Sequence, residues 1–185
     1  MARSGHVKKM ARDGEAKSAT VAYTVGMRSR YVDGISVRIL RNGDTDTVAA
    51  VFDRLSDESR RRRFGGPKPR LSDAELAYLS RVDARHHVLV AYVDGDRAPA
   101  GLARLVRSGR TAEVAFEVVD KHQGRRVGST LARALAEDAR AAGIVELRAT
   151  VTGDQRRVSA LLVRPAGRLR AKWLGGECTL VAALD

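Results

Sequence analysis

The chain has a single cysteine, Cys178, which excludes an intrachain disulfide framework and any multi-cysteine zinc site. Aromatic residues make up 4% of its 185 residues, too few for a platform that stacks single-stranded nucleic acid. No run approaches the roughly 18 apolar residues of a membrane span. The first 30 residues are basic but lack the apolar core of a secretory signal, so a cytoplasmic location is the expectation. Acidic residues are scarce relative to basic ones. There are 34 Lys and Arg against 22 Asp and Glu, a formal net charge of +12. Such a charge suits a nucleic acid, a phosphate-bearing ligand or solubility alone. The length fits one domain that can bury a core without staples.

The charge is unevenly placed. Residues 1–34 hold seven basic against three acidic residues, and the remainder holds 27 against 19. The first stretch has no sustained apolar period and is rich in Gly, Ser, Ala, Lys and Arg. It reads as a disordered or loosely attached extension, or as the product of an early start, since Met10 and Met27 are available starts. A second basic run is Arg60-Arg61-Arg62-Arg63.

From residue 35 the pattern is that of an α/β (α+β) domain spanning 35–185. Ile35 to Leu40 alternates as a strand does, and Asp44 or Thr45 caps a helix to about Leu55. Ser56-Asp57-Glu58-Ser59 opens a short helix, and Ser72 with Glu75 has capping-box spacing. His86 to Val93, Ala98 to Arg107 and Thr111 to Val119 are three strands with short turns, an antiparallel meander. Val127 to Ala142 is helical, with Val127, Leu131, Leu135 and Ala139 on one face and Gly143 as its stop. Ile144 to Val151 is a strand, 154–163 a helix, and Arg168 to Leu184 a hairpin about Gly175-Gly176. Neighbouring His86 and His87 point to opposite faces, so they form no metal pair. Cys178 is expected to be buried, and Trp173 to sit in the core or on the sheet surface.

One stretch carries chemistry. Thr111 to Val119, then Asp120-Lys121-His122-Gln123-Gly124-Arg125-Arg126, then Val127-Gly128-Ser129, is a strand, a Gly/Arg loop and a long helix. Unpaired N–H groups at a helix start favour a phosphate, and small residues at Gly124 and Gly128 admit one. Arg125 and Arg126 add positive charge, and His122 is within reach of a donor phosphate. The spacing is neither that of a P-loop nor the dinucleotide Gly-x-Gly-x-x-Gly. Glycine at a helix start also serves packing alone, and both readings stand at this point.

The order of elements and the segment Gln123 to Ser129 resemble the GNAT N-acetyltransferases, whose motif is Gln/Arg-x-x-Gly-x-Gly/Ala between a strand and the following helix. The resemblance is closer to bacterial protein-lysine acetyltransferase-like domains. These share a Ser-x-Glu-Ser helix (Ser56 to Ser59), an Arg-Phe (Arg63-Phe64), a Leu-Ser cap (Leu71-Ser72) and an Ala-Glu-Val-Ala-Phe strand (Ala112 to Phe116). It covers residues 35–185 and implies a mixed, mainly antiparallel central sheet flanked by helices. It also implies acetyl-CoA as co-substrate, no metal, and an amine, a protein lysine foremost, as acceptor. The segment Gln123, Gly124, Arg125, Arg126, Val127, Gly128 and Ser129 would then hold the pyrophosphate. The strand end from Phe116 to Val118 would pair with the pantetheine arm. Glu113 matches the glutamate that serves as general base through a water. Glu117 is its rival, since alternation puts both on one face.

Two positions depart from that pattern. Arg126 replaces the motif's first glycine, and Gln155 stands where an asparagine is usual. No tyrosine follows as general acid, and Ser159 is the nearest hydroxyl. These departures keep an alternative open, a degenerate domain that binds acyl-CoA as a regulatory or interaction module without turnover. Membrane partners are excluded and nucleic acid is disfavoured. The oligomeric state is open, with a homodimer as one option.

Overall fold

The computed structural model describes residues 29–151, 156–174 and 177–184 of the chain. The expectations for the N-terminal extension, for Gln155 and for the Gly175-Gly176 turn fall largely or wholly outside them. Among these described residues eight strands form one sheet in the order β1-β2-β3-β4-β5-β6-β8-β7. They are β1 (Arg30–Val32), β2 (Ile35–Ile39), β3 (His86–Val93), β4 (Gly101–Ser108), β5 (Thr111–Val118), β6 (Glu146–Val151), β7 (Arg168–Leu174) and β8 (Glu177–Ala183). The helices are α1 (Thr45–Asp53), α2 (Asp57–Phe64), α3 (Asp73–Leu79), α4 (Val127–Ala141) and α5 (Arg156–Val163). All neighbouring strands run antiparallel except β5 and β6, which run parallel because α4 carries the chain between them.

The sheet begins at Arg30, inside the stretch read as a tail. Asp33 and Gly34 both take positive φ and close a tight turn that pairs Arg30–Val32 with Ile35–Val37. Two flanking strong strands are needed to recognise so short an edge strand, and its sequence alone carries too little pattern.

The two faces of the sheet are covered differently. On one, Val127, Leu131, Leu135 and Ala139 of α4 are at most 1% exposed and pack on the inner strands. The intervening Ala132, Ala134 and Ala136 let the helix lie close to them. On the other face α1 and α3 bury Val48, Val51 and Leu79 against Val88, Val90 and Leu102. Helix starts follow the caps written in the sequence. Asp44 accepts from the Thr47 amide at 3.1 Å, and Ser72 with Glu75 forms the complete capping box. His86 and His87 do diverge, to Asp83 at 2.9 Å on one face and Asp138 at 2.8 Å on the other. Cys178 is buried, and Trp173 is exposed on β7.

Helix α2 has no apolar stripe, so packing alone does not hold it. Its acidic first turn and Arg61–Arg63 last turn complement the helix dipole, and Gly65 at φ 74 ends it. Its anchor is Asp120. That carboxylate accepts from the Ser56 amide (2.8 Å), the Ser56 hydroxyl (2.8 Å) and the Ser59 hydroxyl (2.9 Å). The Ser-x-x-Ser spacing therefore ties α2 to the short 3₁₀ turn Asp120–His122 that leads toward α4.

Candidate active site

β5 and β6 pair only at their starts, Thr111–Glu113 with Glu146–Arg148, although β5 continues to Val118 and β6 to Val151. Beyond that point the strands part and open a cleft of about 1230 Å³. The Val119 amide donates to the Ala100 carbonyl on the β4 side at 2.9 Å. By the two-residue alternation of a strand, the peptide groups of Phe116 and Val118 face the opened side. The Val118 carbonyl is taken by the Gln123 side chain at 3.0 Å. The backbone groups of Phe116 and the Val118 amide are left for an incoming chain.

At the end of β5 the loop enters α4. Gly124 has φ 73, and Arg126, the residue before the helix, has φ 65 with no side-chain cap on the helix start. A left-handed conformation is strained in a residue other than glycine, so the glycine usual here answers a backbone demand. The amides of Gly124, Arg126, Val127, Gly128 and Ser129 have no hydrogen-bond partner among the described residues. Those of Gln123 and Arg125 are already bonded, to Asp120 and His122 carbonyls. A 15-residue helix with an uncapped start presents its N–H groups and the positive end of its dipole to the cleft. These are groups that fit a pyrophosphate.

The residues expected at this site divide. Phe116, Val118, Gln123, Gly124, Arg126, Gly128 and Ser129 line the cleft. Arg125 is exposed but does not line it, and the Val127 side chain is in the core. Gln123 is a knot rather than a free hand. Its amide donates to Ser59 and to Val118, and its oxygen accepts from Arg157 at 3.0 Å, joining α2, β5 and α5. A Cβ on Gly128 would meet Leu161 at 3.0 Å and Val118 at 3.5 Å, so its smallness also serves packing against α5. His122 does not reach the cleft. It is 4% exposed, with Nε2 2.8 Å from Asp96. Ser159 does not line the cleft either.

The sequence reading missed most of the cleft's charge. Among the described residues, Arg62, Arg63, Arg126, Arg133, Arg157 and Arg164 line it against Asp33 and Glu117. The signal was present as helical spacing. Arg126, Ser129 and Arg133 recur at three and four residues across the start of α4, and Arg157 on α5 lies seven residues before Arg164, just past the helix end.

Glu113 and Glu117 share a face of β5, with unbroken register to β4 from Thr111 to Val118. Their surroundings differ. Glu113 is exposed and lines a second cavity of about 490 Å³ beside the cleft. The Glu117 side chain is 3% exposed and accepts from Arg63 Nε at 2.7 Å. Arg63 occupies the Glu117 carboxylate, whereas Glu113 has no ion-pair partner among the described residues and opens to a cavity. No helix among the described residues is long and apolar enough to cross a membrane.

Comparison with known proteins bears on this geometry. Residues 51–167 match the acetyltransferase (GNAT) family. The acetyltransferase Pat of Mycolicibacterium smegmatis is 29% identical over 181 residues, which cover 96% of this chain and 53% of that protein. The chain thus spans about half the length of this curated relative. The crystal structure of the GNAT domain of S. lividans PAT superposes with a TM-score of 0.72 at 28% identity, covering 81% of this chain and 90% of that one. A Salmonella typhimurium structure, yncA with its cofactor acetyl-CoA, has a TM-score of 0.61 at 19% identity, covering 83% and 95%. At that identity the likeness shows the fold alone. A family match over more than half of the chain, on a sheet that opens beside an uncapped helix start, makes the chain a member of the acetyltransferase (GNAT) family.

Proposed function

We propose that the domain transfers an acetyl group from acetyl-CoA to an amine, with a protein lysine as the leading acceptor and Glu113 as general base. The observation that carries this is the parting of β5 from β6 just past Glu113, beside five unbonded amides at the start of α4. The free amides and the cleft arginines hold the pyrophosphate. The Phe116 backbone and the Val118 amide bond the pantetheine arm as an added strand would. Bound there, acetyl-CoA supplies an activated thioester. The acceptor nitrogen arrives as an ammonium and must lose a proton before it can attack the thioester carbon. Glu113 takes that proton through a water. The C–N bond forms as the C–S bond breaks, and the second proton that the nitrogen sheds as it becomes the amide goes to the departing sulfur, which leaves as the thiol of CoA. The family membership and the likeness to the acetyltransferase Pat support this reading.

A second reading is a domain that binds acyl-CoA without turnover. Its specific support is Arg126, an arginine held at φ 65 where the family pattern has glycine. Calorimetric titration with acetyl-CoA, followed by thiol release with a panel of amines and lysine peptides, separates the two. Turnover that falls roughly 100-fold or more in Glu113→Gln, with acetyl-CoA affinity unchanged, is the expected result. Binding without turnover leaves the second reading. Absence of binding removes both.

A further inference from the structure

The smaller cavity lies beside Glu113 on the α2–α3 side of the sheet. Four guanidiniums line it, and three have carboxylate partners. Arg62 pairs with Glu58, Arg63 with Glu117 at 2.7 Å, and Arg148 with Glu146 at 2.6 Å. The fourth, Arg104, has no carboxylate at ion-pair distance among the described residues, yet it is only 6% exposed. Its Nη2 donates to the Tyr78 carbonyl at 3.1 Å, and its guanidinium lies 4.6 Å from the Tyr78 ring centre. Its Nε is buried without a hydrogen-bond partner among the described residues.

The local charge does not balance. Glu117 is the one buried carboxylate near Arg63 and Arg104, and Arg63 holds it. Burial pushes the Arg104 guanidinium down from its ordinary value; Tyr78 opposes this, Arg63 adds to it, and Glu117 opposes it. An arginine does not shed its proton to escape. A buried charge with an unmet donor is costly, and a ligand carboxylate against the cavity-lining side of the guanidinium offsets that cost. Arg104 stands opposite Ala115, and Glu113 opposite Val106, on the same face of adjacent strands. The two are diagonal neighbours, roughly 7–8 Å apart along the backbone.

We propose that this cavity selects acceptor amines that also carry a carboxylate, which Arg104 binds while the amine lies at Glu113. The proposal rests on the acyltransferase reading above. The same chemistry comes from two sources, a free amino acid or a protein lysine flanked by an acidic residue.

The test is equilibrium binding to the full chain, measured by calorimetry with two matched pairs. One pair is lysine and lysine amide. The other is a lysine peptide flanked by glutamate and the same peptide flanked by glutamine. The carboxylate member of one pair is expected to bind about tenfold or more tightly, the scale of a charge-assisted hydrogen bond. The responding pair names the source. Arg104→Met keeps the stem on Tyr78 and is expected to reduce the preference to within about twofold, whereas Arg104→Lys retains part of it. Equal affinities, or no binding, in both pairs of the unaltered protein overturn the proposal, as does a preference that survives Arg104→Met. Thiol release from acetyl-CoA is read separately with the same four amines. A binding preference without thiol release removes the acyltransferase reading and leaves the carboxylate site standing.

Discussion

On the α4 side of the sheet the buried core is Leu131, Leu135, Leu147 and a row of alanines, with Val127, Leu131, Leu135 and Ala139 filling successive turns of the helix. On the α1–α3 side the same strands bury His86, Arg104 and Glu117 among the apolar residues. Glu117 and Arg104 come from β5 and β4, which also supply Phe116 and Leu105 to the dry face. Adjacent residues of one strand thus serve opposite ends. The dry face supplies burial that needs no partner geometry. The charged face supplies groups that would be wasted in water but whose stability depends on each finding its counterpart.

The sharpest way to break this comparison is to remove the counterpart. Glu117→Gln leaves Arg63 without its carboxylate beside Arg104. It is expected to cost about 4 kcal/mol in chemical denaturation, because losing one partner of a buried pair strands the other charge. A cost below about 1 kcal/mol would mean that solvent reaches this wall and that the two faces do not differ as described. Leu131→Ala is the matching cut on the dry face. Leu131 is 0% exposed, and its loss is expected to cost about 3 kcal/mol through transfer and cavity terms.

A smaller effect tests the polar tie that holds α2. Burial alone would raise the Asp120 carboxyl, but the bonds from the Ser56 amide and the Ser56 and Ser59 hydroxyls outweigh it and hold the group below its ordinary value. A carboxyl lowered on folding contributes stability above its unfolded value, roughly pH 4, and loses it as pH falls through the folded value. Asp120→Asn is therefore expected to cost about 1 kcal/mol at neutral pH, a modest figure because the residue faces solvent. The gap from the unaltered protein should close below about pH 4. A gap that persists undiminished at pH 3 would mean that hydrogen bonding, and not charge, holds the tie.

These contrasts explain what was legible in the sequence. The dry face was legible because one helix repeat, Val127 to Ala139, specifies its own burial, and the caps Asp44 and Ser72 act on amides three residues away. The mixed sheet and the cradle segment were legible from order and motif. The charged face was not. Nothing near Glu117 in the chain points to Arg63, 54 residues away, and nothing near Arg104 shows that its Nε lacks a partner among the described residues. Glu113 and Glu117 look alike in the strand pattern, and only the helix laid over one of them separates their chemistry. The tie from Asp96 to Arg54, Lys121 and His122 was hidden for the same reason, and it explains why His122 turns from the cleft.

Arg126 is the finest test, because it sits where the cradle's backbone and its charge compete. Its guanidinium lies 2.8 Å from Asp33, but both side chains are mostly exposed, so that pair is worth little. Against it stands a left-handed conformation that costs an ordinary residue about 1 kcal/mol. Arg126→Gly should therefore stabilise the fold by about 0.5 kcal/mol in thermal or chemical denaturation. Its effect on acetyl-CoA affinity decides what the arginine is for. Arg133, Arg157 and Arg164 remain on the cleft wall, and the amides at the start of α4 remain free. Loss of one exposed charge among several is then expected to change affinity by less than about threefold at physiological salt. A tenfold loss would make Arg126 a phosphate ligand whose contact outweighs its backbone strain. A tenfold gain would instead make it a side chain that obstructs the amides.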